Sequence, residues 1–324
     1  MDFSNKNIWI LTDGSQGMIS QARGLAQHFS NNIFNFRTEL IFPWTILQPG
    51  FLPVYKWIFK NRINLTNKPN IIISCGRKSV YLSLYLKKIY LKDVITIHIQ
   101  NPKIKTSKFD FVVTPNHDKI EGQNVIKSIG AIHHFTKKNI NVEKNTYPSI
   151  QKDNLISVII GGKNRHYKFS KKNILDLINK IKDLKNRYPK FNFLIIGSRR
   201  TTKDMINILQ KELNKFAYIW NGIDRNPYSF ALKYSKFFIV TSDSTSMISE
   251  CAFTKKPIFV FHLPFKRTSK RIKKFHDEFK NRKITKKFSD HIDLIEWQYE
   301  TLDEAKRISG ILKERIIEGL NESR

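Results

Sequence analysis

Short apolar runs alternate with segments of helical periodicity along the chain, and this alternation constrains the fold more than any other feature. In the first half, strands are predicted over residues 8–12, 71–74, 94–99 and 109–114, and helices over residues 17–29 and 78–90. In the second half, strands are predicted over residues 155–160, 191–196, 237–241 and 257–261, and helices over residues 174–181, 202–213, 246–253 and 302–320. Short β-rich runs with helices between them are typical of a parallel α/β sheet.

A segment rich in Lys and Asn separates the two series. Residues 135–154 contain Pro148 and have no periodicity, so they are predicted to form an interdomain linker. The chain has 324 residues, which suits two domains of ordinary size. We therefore expect an α/β protein with two Rossmann-like domains facing a cleft. The N-terminal domain would cover residues 1–140, and the C-terminal domain, with C-terminal helices, residues 150–324.

The chain is strongly basic, with 57 Lys and Arg against 27 Asp and Glu and a net charge of +30. Such a charge is compatible with a nucleic acid partner, with an anionic membrane surface, or with the amino-acid usage of an AT-rich genome. The basic residues are dispersed over the whole length, and no nucleic-acid-binding motif is present. We therefore expect no nucleic acid partner.

Cysteine usage and hydropathy limit the class of protein further. The two cysteines, Cys75 and Cys251, exclude a disulfide scaffold and a cysteine-based zinc site, and they fit a reducing compartment. No run approaches the roughly 20 apolar residues of a spanning helix. The N-terminus leads directly into the first strand, so no signal peptide is expected.

Ligands of open α/β sheets bind at the carboxyl ends of the strands, so the residues that follow each strand are candidates. Asp13 and Gly14 follow the first strand, where Asp13 is either a general base or a helix cap. Arg77 begins a helix and is either an anion ligand or a solvated turn residue. His117 and Asp118 follow another strand and either form an acid/base pair, orient the acceptor as substrate-binding residues, or make a local hydrogen bond.

Glycine, hydroxyl and arginine residues follow the strands of the second half. Gly161 and Gly162 would let the backbone approach a diphosphate. Ser198, Arg199 and Arg200 combine a hydroxyl with two guanidinium groups, which suit bidentate phosphate contacts. The two motifs together favour a phosphate site over either motif alone.

The segment 241–250 is the most informative part of the second half. Ser244 and Ser246 at a helix N-terminus would form an anion cradle, and Glu250 would accept hydrogen bonds from a ribose diol. Asp243 would repel a phosphate, so we expect it to cap the helix instead. A capped helix without a ligand is the alternative.

Asn226 and Tyr228 precede another helix of this half. Tyr228 would either border a nucleotide base or serve as a core aromatic.

These motifs together resemble the mitochondrial fission family named for the elongated-mitochondria phenotype of plants. The resemblance covers about residues 8–265 and is carried by Trp9, Leu11, Thr12, Asp13, Gly14, Gln21, Ala22, Gly24, Leu25, Ala26, Gly76, Arg77, Pro115, His117, Asp118, Gly130, Ala131, His133, Gly161, Gly162, Ser198, Arg199, Arg200, Thr201, Asn226, Pro227, Tyr228, Thr241, Asp243, Ser244, Ser246, Met247, Ser249 and Glu250. One departure is Lys255, where such sequences usually carry glycine before Lys-Pro.

Bacterial members of this family look like glycosyltransferases of the two-Rossmann GT-B type. The resemblance implies that the C-terminal half binds a nucleotide sugar, with Glu250 on the ribose and Ser244 and Ser246 on the diphosphate. It implies an acceptor in the N-terminal half with Asp13 as the base. Such enzymes generally need no bound metal, so no metal or cofactor is expected beyond the nucleotide-sugar substrate.

An aromatic and basic stretch at residues 41–62 bears on the acceptor. Trp and Tyr beside Lys and Arg suit a bilayer interface, whereas Pro43, Pro49 and Pro53 prevent the stretch from spanning it. A helix packed on the first sheet is the alternative. The membrane interpretation predicts a lipid or glycolipid acceptor and a cytoplasmic protein peripheral at the inner face of the cytoplasmic membrane.

The sequence therefore predicts a peripheral-membrane glycosyltransferase. A non-catalytic adaptor that recruits a dynamin-like protein and a sugar-nucleotide epimerase remain as alternatives.

Overall fold

The computed structural model describes residues 2–61, 67–142, 147 and 149–322. The chain divides into two compact units, Met1–His134 with Asp303–Arg324 (unit 1) and Phe135–Leu302 (unit 2). Each unit contains a six-stranded sheet in which all strand pairs are parallel. The predicted α/β class with two Rossmann-like domains is confirmed.

The described residues form the following strands and helices. The strands are β1 (Ile8–Thr12), β2 (Ile33–Arg37), β3 (Ile71–Cys75), β4 (Ile95–Ile99), β5 (Phe111–Pro115), β6 (Val125–Ser128), β7 (Leu155–Ile160), β8 (Asn192–Gly197), β9 (Ala217–Ile219), β10 (Ser235–Thr241), β11 (Ile258–Phe261) and β12 (Thr285–Lys287). The α-helices are α1 (Gln16–Ala26), α2 (Arg77–Tyr90), α3 (Lys137–Asn141), α4 (Lys171–Arg187), α5 (Lys203–Leu213), α6 (Tyr228–Tyr234), α7 (Thr245–Ala252), α8 (Lys270–Asn281) and α9 (Glu304–Glu322).

The sheet of unit 1 has the strand order β2-β1-β3-β4-β5-β6. Strands β1 and β3 are buried along their whole length because both faces of a parallel sheet are covered. The chain leaves β1 toward β2 and then crosses back to β3, so the order of strands reverses between β1 and β3. Asp13 and Gly76 follow these two strands, at the point where open sheets usually bind ligands.

The sheet of unit 2 has the strand order β12-β11-β10-β7-β8-β9. The chain builds outward from β7 through β8 to β9 and then returns to place β10 on the other side of β7. The order therefore reverses between β7 and β10. Gly161 and Asp243 lie just beyond the ends of these strands, so this reversal brings together two of the predicted motifs.

Helix α9 packs on unit 1, although the sequence assigns the C-terminal helices to the second domain. Ala305, Ile308, Leu312 and Ile316 recur at helical spacing and are buried in the core cluster that contains β1, β3 and α1. The carboxylate of Glu304 also accepts a hydrogen bond of 2.7 Å from the Ile129 N–H group of the same unit. The predicted assignment is therefore wrong for α9.

The predicted linker also differs from the structure. Residues 135–141 belong to unit 2, where α3 begins with a reciprocal hydrogen-bonded cap between Thr136 and Asn139. The Phe135 ring lies 5.8 Å from that of Tyr228, so aromatic packing fixes the start of this segment. Pro148 and residues 143–146 of the predicted linker lie outside the described residues.

The aromatic stretch is attached to α2 without forming an α-helix over residues 41–61. Only Lys56–Ile58 form a short 3-10 turn within that range. Trp44 and Ile58 are buried against Tyr81, and the Arg77 guanidinium donates to the carbonyl groups of Thr45 and Leu47. The helix that the sequence leaves as the alternative is therefore not formed over residues 41–61, and Arg62 of the stretch lies outside the described residues. Within the described part of the chain, no helix is long and apolar enough to cross a membrane.

Candidate functional site

A buried carboxylate organises the carboxyl edge of the sheet in unit 2. The Asp243 side chain is fully buried, and its Oδ2 accepts a hydrogen bond from Gly162 N–H at 2.9 Å and pairs with Arg200 Nη1 at 2.7 Å. Its Oδ1 accepts from the Thr241 hydroxyl at 2.6 Å. We call Asp243, Arg200, Thr241 and Gly162 the Asp243 hub. The hub connects the loops that follow β7, β8 and β10.

The sequence predicts that Asp243 caps helix α7, and this prediction is wrong. Its side chain points into the loop after β7, and Ser244 is the N-cap, accepting from Met247 N–H at 3.5 Å. The charge of Asp243 is balanced by Arg200, so it is not directed at a ligand. Ser246 lies half-buried in the first turn of α7, where backbone N–H groups have no partner within the helix.

Gly161 and Gly162 are required by close packing against the hub. A Cβ atom on Gly161 would lie 2.1 Å from Asp243 Oδ2, and one on Gly162 would lie 2.1 Å from the Arg200 carbonyl oxygen. The backbone of both residues is held in addition, since Gly161 N–H donates to the Thr241 hydroxyl oxygen at 2.8 Å. The paired glycines thus have a structural reason that does not depend on a diphosphate.

The Ser198–Thr201 turn joins the ends of β7 and β8. The Thr201 hydroxyl lies 2.6 Å from the Gly161 carbonyl oxygen, and Ser198 Oγ accepts from Arg200 N–H at 3.2 Å. Arg200 turns inward to Asp243, whereas Arg199 is exposed. The two predicted phosphate ligands are therefore unequal, because the charge of Arg200 is already neutralised.

Three residues of this edge were not selected as site residues from the sequence. Thr241 and Thr201 supply the hydroxyl groups described above, and Asn164 Nδ2 donates to the Asp243 carbonyl oxygen at 3.2 Å. Thr241 ends β10, and Asn164 and Thr201 lie in the loops that follow β7 and β8, so their position near strand ends is a usable signal.

Glu250 and Tyr228 form a pair on neighbouring helices. The Tyr228 hydroxyl donates to Glu250 Oε2 at 2.6 Å, and both residues are half-buried. Burial of the carboxyl group raises the pKa of Glu250 to about 7, although the hydrogen bond from Tyr228 acts to lower it. Burial, together with the charge of Glu250, raises the pKa of Tyr228. Glu250 therefore changes its charge near neutral pH.

This pair makes stability depend on pH. The folded protein holds a proton on Glu250 up to about pH 7, whereas the ordinary pKa is 4.5, so unfolding releases that proton between these values. Stability should fall by up to about 3 kcal/mol as the pH rises through this interval. We expect Glu250→Gln to abolish this loss, measured as urea unfolding near pH 5 and near pH 8. The control is Glu212→Gln, which removes the carboxylate of a half-buried ion pair with Lys182. An unchanged pH dependence of stability in Glu250→Gln, or the same change in Glu212→Gln, would contradict the assignment.

Tyr228 is accounted for by packing and by Glu250. Its backbone N–H donates to Asn226 Oδ1 at 3.0 Å at the start of α6, and its ring contacts Phe135. Asn226 is exposed and supports this turn. Of the two interpretations of Tyr228, the structure favours the packed aromatic.

The departure at Lys255 is accommodated in the structure. Lys255 adopts φ 61°, in the left-handed region that favours glycine. The next side chain, Lys256, donates to the carbonyl groups of Leu232 and Lys233 at 2.7 and 2.6 Å, at the end of α6. Burial lowers the pKa of Lys256 to about 8. The turn is thus formed without the usual glycine.

Asp13 stands at the reversal point of the sheet in unit 1. Its Oδ1 accepts from Ser15 N–H at 2.9 Å, which closes a turn before α1, and Gly14 adopts φ 88° in that turn. Ser15, and not Asp13, occupies the N-cap position of α1. Burial and the nearby charge of Asp13 raise the pKa of the Cys75 thiol. Oδ1 of Asp13 therefore stabilises the turn. The residue is half-buried, so its side chain remains partly accessible to water.

The other predicted residues of unit 1 do not join Asp13. The Arg77 guanidinium donates to the carbonyl groups of Thr45 and Leu47 in the aromatic stretch, so Arg77 is not a solvated turn residue, and its role as an anion ligand stays a prediction. His117 and Asp118 are buried after β5, which lies three strand positions from β1. Three strand spacings are roughly 14 Å, which separates His117 from Asp13. Within the described residues, no group of three or more His, Cys, Asp or Glu side chains is arranged to hold a metal ion.

Comparison with known sequences decides the family. Residues 16–316 match the family described as mitochondrial fission ELM1. The chain belongs to this family. An uncharacterized protein of Rickettsia prowazekii (strain Madrid E) is 28% identical over 356 residues, covering 95% of this chain and 98% of that protein. The mitochondrial fission protein ELM1 of Arabidopsis thaliana is 28% identical over 287 residues, covering 78% of this chain and 65% of the plant protein.

Solved structures share the fold of this ELM1 family member. The UDP-GlcNAc 2-epimerase of Neisseria meningitidis, bound to UDP-GlcNAc, has a TM-score of 0.53 at 13% identity, covering 96% of this chain and all 100% of that one. The UDP-GlcNAc 2-epimerase of Methanocaldococcus jannaschii has a TM-score of 0.53 at 12% identity, and the match covers 95% of this chain and 99% of the epimerase chain. At these identities the likeness establishes the GT-B-like fold.

Proposed function

We propose that unit 2 binds a nucleotide sugar and that the protein transfers the sugar to a lipid or cell-envelope acceptor at an anionic membrane surface. The observation that carries the proposal is the Asp243 hub, which fixes the loop after β7 beside the start of α7. This is the reversal point of the strand order, where open α/β sheets bind ligands. A rigid loop at that point is suited to a ligand that needs close backbone contact.

The diphosphate would bind at the start of α7. Ser244 and Ser246 offer hydroxyl groups there, and the helix dipole favours an anion. The exposed Arg199 would supply positive charge, because Arg200 is already paired. Oε1 of Glu250 would accept a hydrogen bond from a ribose hydroxyl, while Oε2 keeps its hydrogen bond from the Tyr228 hydroxyl. The nucleotide sugar is a substrate, and we propose no cofactor.

The acceptor would bind to unit 1, with Asp13 as the candidate base. The carboxylate would take the proton of an acceptor hydroxyl, whose oxygen then attacks the anomeric carbon as the nucleoside diphosphate leaves. The helix N-terminus and Arg199 would stabilise the charge on the leaving diphosphate. Exposed aromatic residues in unit 1, among them Phe51 and Trp57, support a peripheral position at the inner face of the cytoplasmic membrane.

UDP-GlcNAc is the first ligand to test, since the solved neighbours named above act on it. Titration calorimetry of wild type should give saturable binding of UDP-GlcNAc and UDP. At pH 8, where the Glu250 carboxyl group is charged, we expect Glu250→Gln to weaken binding by roughly 10- to 100-fold, because a hydrogen bond to a charged group contributes about 1.5–3 kcal/mol. Glu212→Gln, which removes a half-buried carboxylate on α5, should bind UDP-GlcNAc as wild type does.

Product analysis separates the alternatives. Radiolabelled sugar that moves into a membrane lipid fraction supports transfer, and loss of that activity in Asp13→Asn supports the base. Conversion of the sugar without an acceptor would identify an epimerase. No binding of any nucleotide sugar by correctly folded protein would overturn the proposal and favour an adaptor.

A further inference from the structure

Large apolar side chains are exposed in one short part of unit 1. Phe42, Ile46, Phe51, Tyr55 and Trp57 each expose between 48% and 74% of their surface. We call residues 42–57, the part of the aromatic stretch that contains these side chains, the aromatic segment. Single exposed apolar residues are normal on a protein surface, but a concentration of them indicates an interaction site.

The aromatic segment is held in place from its other side. The Trp44 indole N–H donates to the Pro53 carbonyl oxygen at 3.1 Å, and the Tyr81 hydroxyl donates to the Leu47 carbonyl oxygen at 3.1 Å. The guanidinium of Arg77 binds the same turn. The exposed rings are therefore presented by an anchored backbone.

A cavity of about 380 Å³ lies beside the aromatic segment. The residues that line it are Pro49, Gly50, Phe51, Leu84, Ile104, Lys105 and Lys108. The walls are mainly apolar, and the charged residues among the described lining residues are both lysines. The volume lies within the roughly 300–1,000 Å³ of small-molecule sites.

The charge around the cavity selects the ligand. The sequence contains no Asp or Glu between Leu40 and Lys92, a stretch that includes the aromatic segment and all of α2. Lys105 and Lys108 are exposed. An apolar cavity with a basic rim matches a molecule with a hydrocarbon tail and a negative headgroup.

We propose that this cavity binds one hydrocarbon tail of an anionic membrane lipid, with Lys105 and Lys108 contacting the headgroup. The aromatic segment would lie in the bilayer interface around the bound lipid. The site is formed within unit 1 and does not depend on sugar transfer, so its test can fail or succeed independently of nucleotide binding.

The first test uses monomeric lysophosphatidylglycerol with tails of increasing length, below the concentration at which micelles form. Each buried methylene should raise affinity roughly four-fold until the cavity is full, and glycerol phosphate alone should bind far more weakly. Ile104→Trp should lower the affinity for the long-tailed lipid by roughly ten-fold or more, because the indole ring takes the place of lipid methylenes in the cavity. The control variant Leu175→Trp places the same side chain at a surface position on α4 and should bind the lipid with wild-type affinity. Affinity that does not depend on tail length would overturn the proposal.

The second test keeps the proposal falsifiable if Ile104→Trp does not fold. The exposed pair Lys105→Glu with Lys108→Glu should lower affinity for lysophosphatidylglycerol by roughly 30-fold, and for lysophosphatidylcholine by less than roughly three-fold. The control is the double variant Lys171→Glu with Lys172→Glu, which changes the net charge of the protein by the same amount at exposed positions on α4. Equal losses in both pairs would reduce the effect to general surface charge and overturn the site. Dimerisation through this face without lipid binding would assign it to a second copy of the chain and would also overturn it.

Discussion

Asp243→Ala is expected to destabilise unit 2 by about 3–5 kcal/mol. The carboxylate is fully buried and joins three loops through Gly162 N–H, the Thr241 hydroxyl and the Arg200 guanidinium. Its removal leaves a buried N–H without an acceptor and a guanidinium without its counter-charge. The Arg200 side chain is 36% exposed and can turn to water, which favours the lower end of the range.

Hydrogen exchange of the β7 and β10 amides measures this effect within unit 2. Asp243→Asn should lose less stability, since the amide oxygen can still accept from Gly162 N–H while the ion pair is lost. Asp183→Ala serves as the control because its ion pair with Arg187 is an exposed pair within one helix. Such a pair contributes roughly 0.3–0.5 kcal/mol. A loss in Asp243→Ala no larger than in the control would show that the hub does not stabilise the unit.

The same variant separates a structural hub from a ligand contact. If Asp243 acts by holding the loop after β7, Asp243→Asn should weaken nucleotide-sugar binding in proportion to its loss of stability. Suppressing the instability by low temperature should then restore part of the affinity. Glu250→Gln should behave differently, because it is expected to lose affinity without losing stability near neutral pH.

The interior strands could be predicted from the sequence, and the edge strands could not. Strands β1, β3 and β7 are mainly apolar and are buried along their whole length, because both of their faces are covered. The four strands that were not predicted, β2, β6, β9 and β12, are all at the edges of the two sheets. β9 and β12 have three residues each, and edge strands are partly exposed, so their sequences carry little periodicity.

The site shows a similar limit. The positions of Gly161, Arg200 and Asp243 near strand ends could be predicted from the sequence, because each lies within a few residues of the end of an apolar run. Their mutual contacts could not, because the order of β7, β8 and β10 in the sheet decides which loops meet. The partners of Arg77 could not be predicted for a related reason, because they lie about 30 residues earlier in an irregular segment with no periodicity.

Lowering the pH from 7 to 4 is expected to remove about 3 kcal/mol from the stability of unit 1 through His98 alone. His98 interrupts the apolar run of β4 and is completely buried. Its Nδ1 lies 2.8 Å from the Ser74 hydroxyl, and its ring stacks 5.0 Å from that of Phe109. Burial lowers the pKa of His98 from 6.5 to about 3.

The sign follows from the proton balance. Between pH 6.5 and pH 3 the unfolded chain binds a proton at His98 that the folded protein does not bind, so stability falls as the pH falls. His98→Gln should remove this part of the slope, measured as hydrogen exchange of the β4 amides across that range. The slope is informative even if the variant is less stable throughout, because a packing defect shifts stability equally at every pH. The exposed His291→Asn should retain the wild-type slope. A wild-type slope in His98→Gln would mean that the folded protein admits a charged imidazole between β3 and β4.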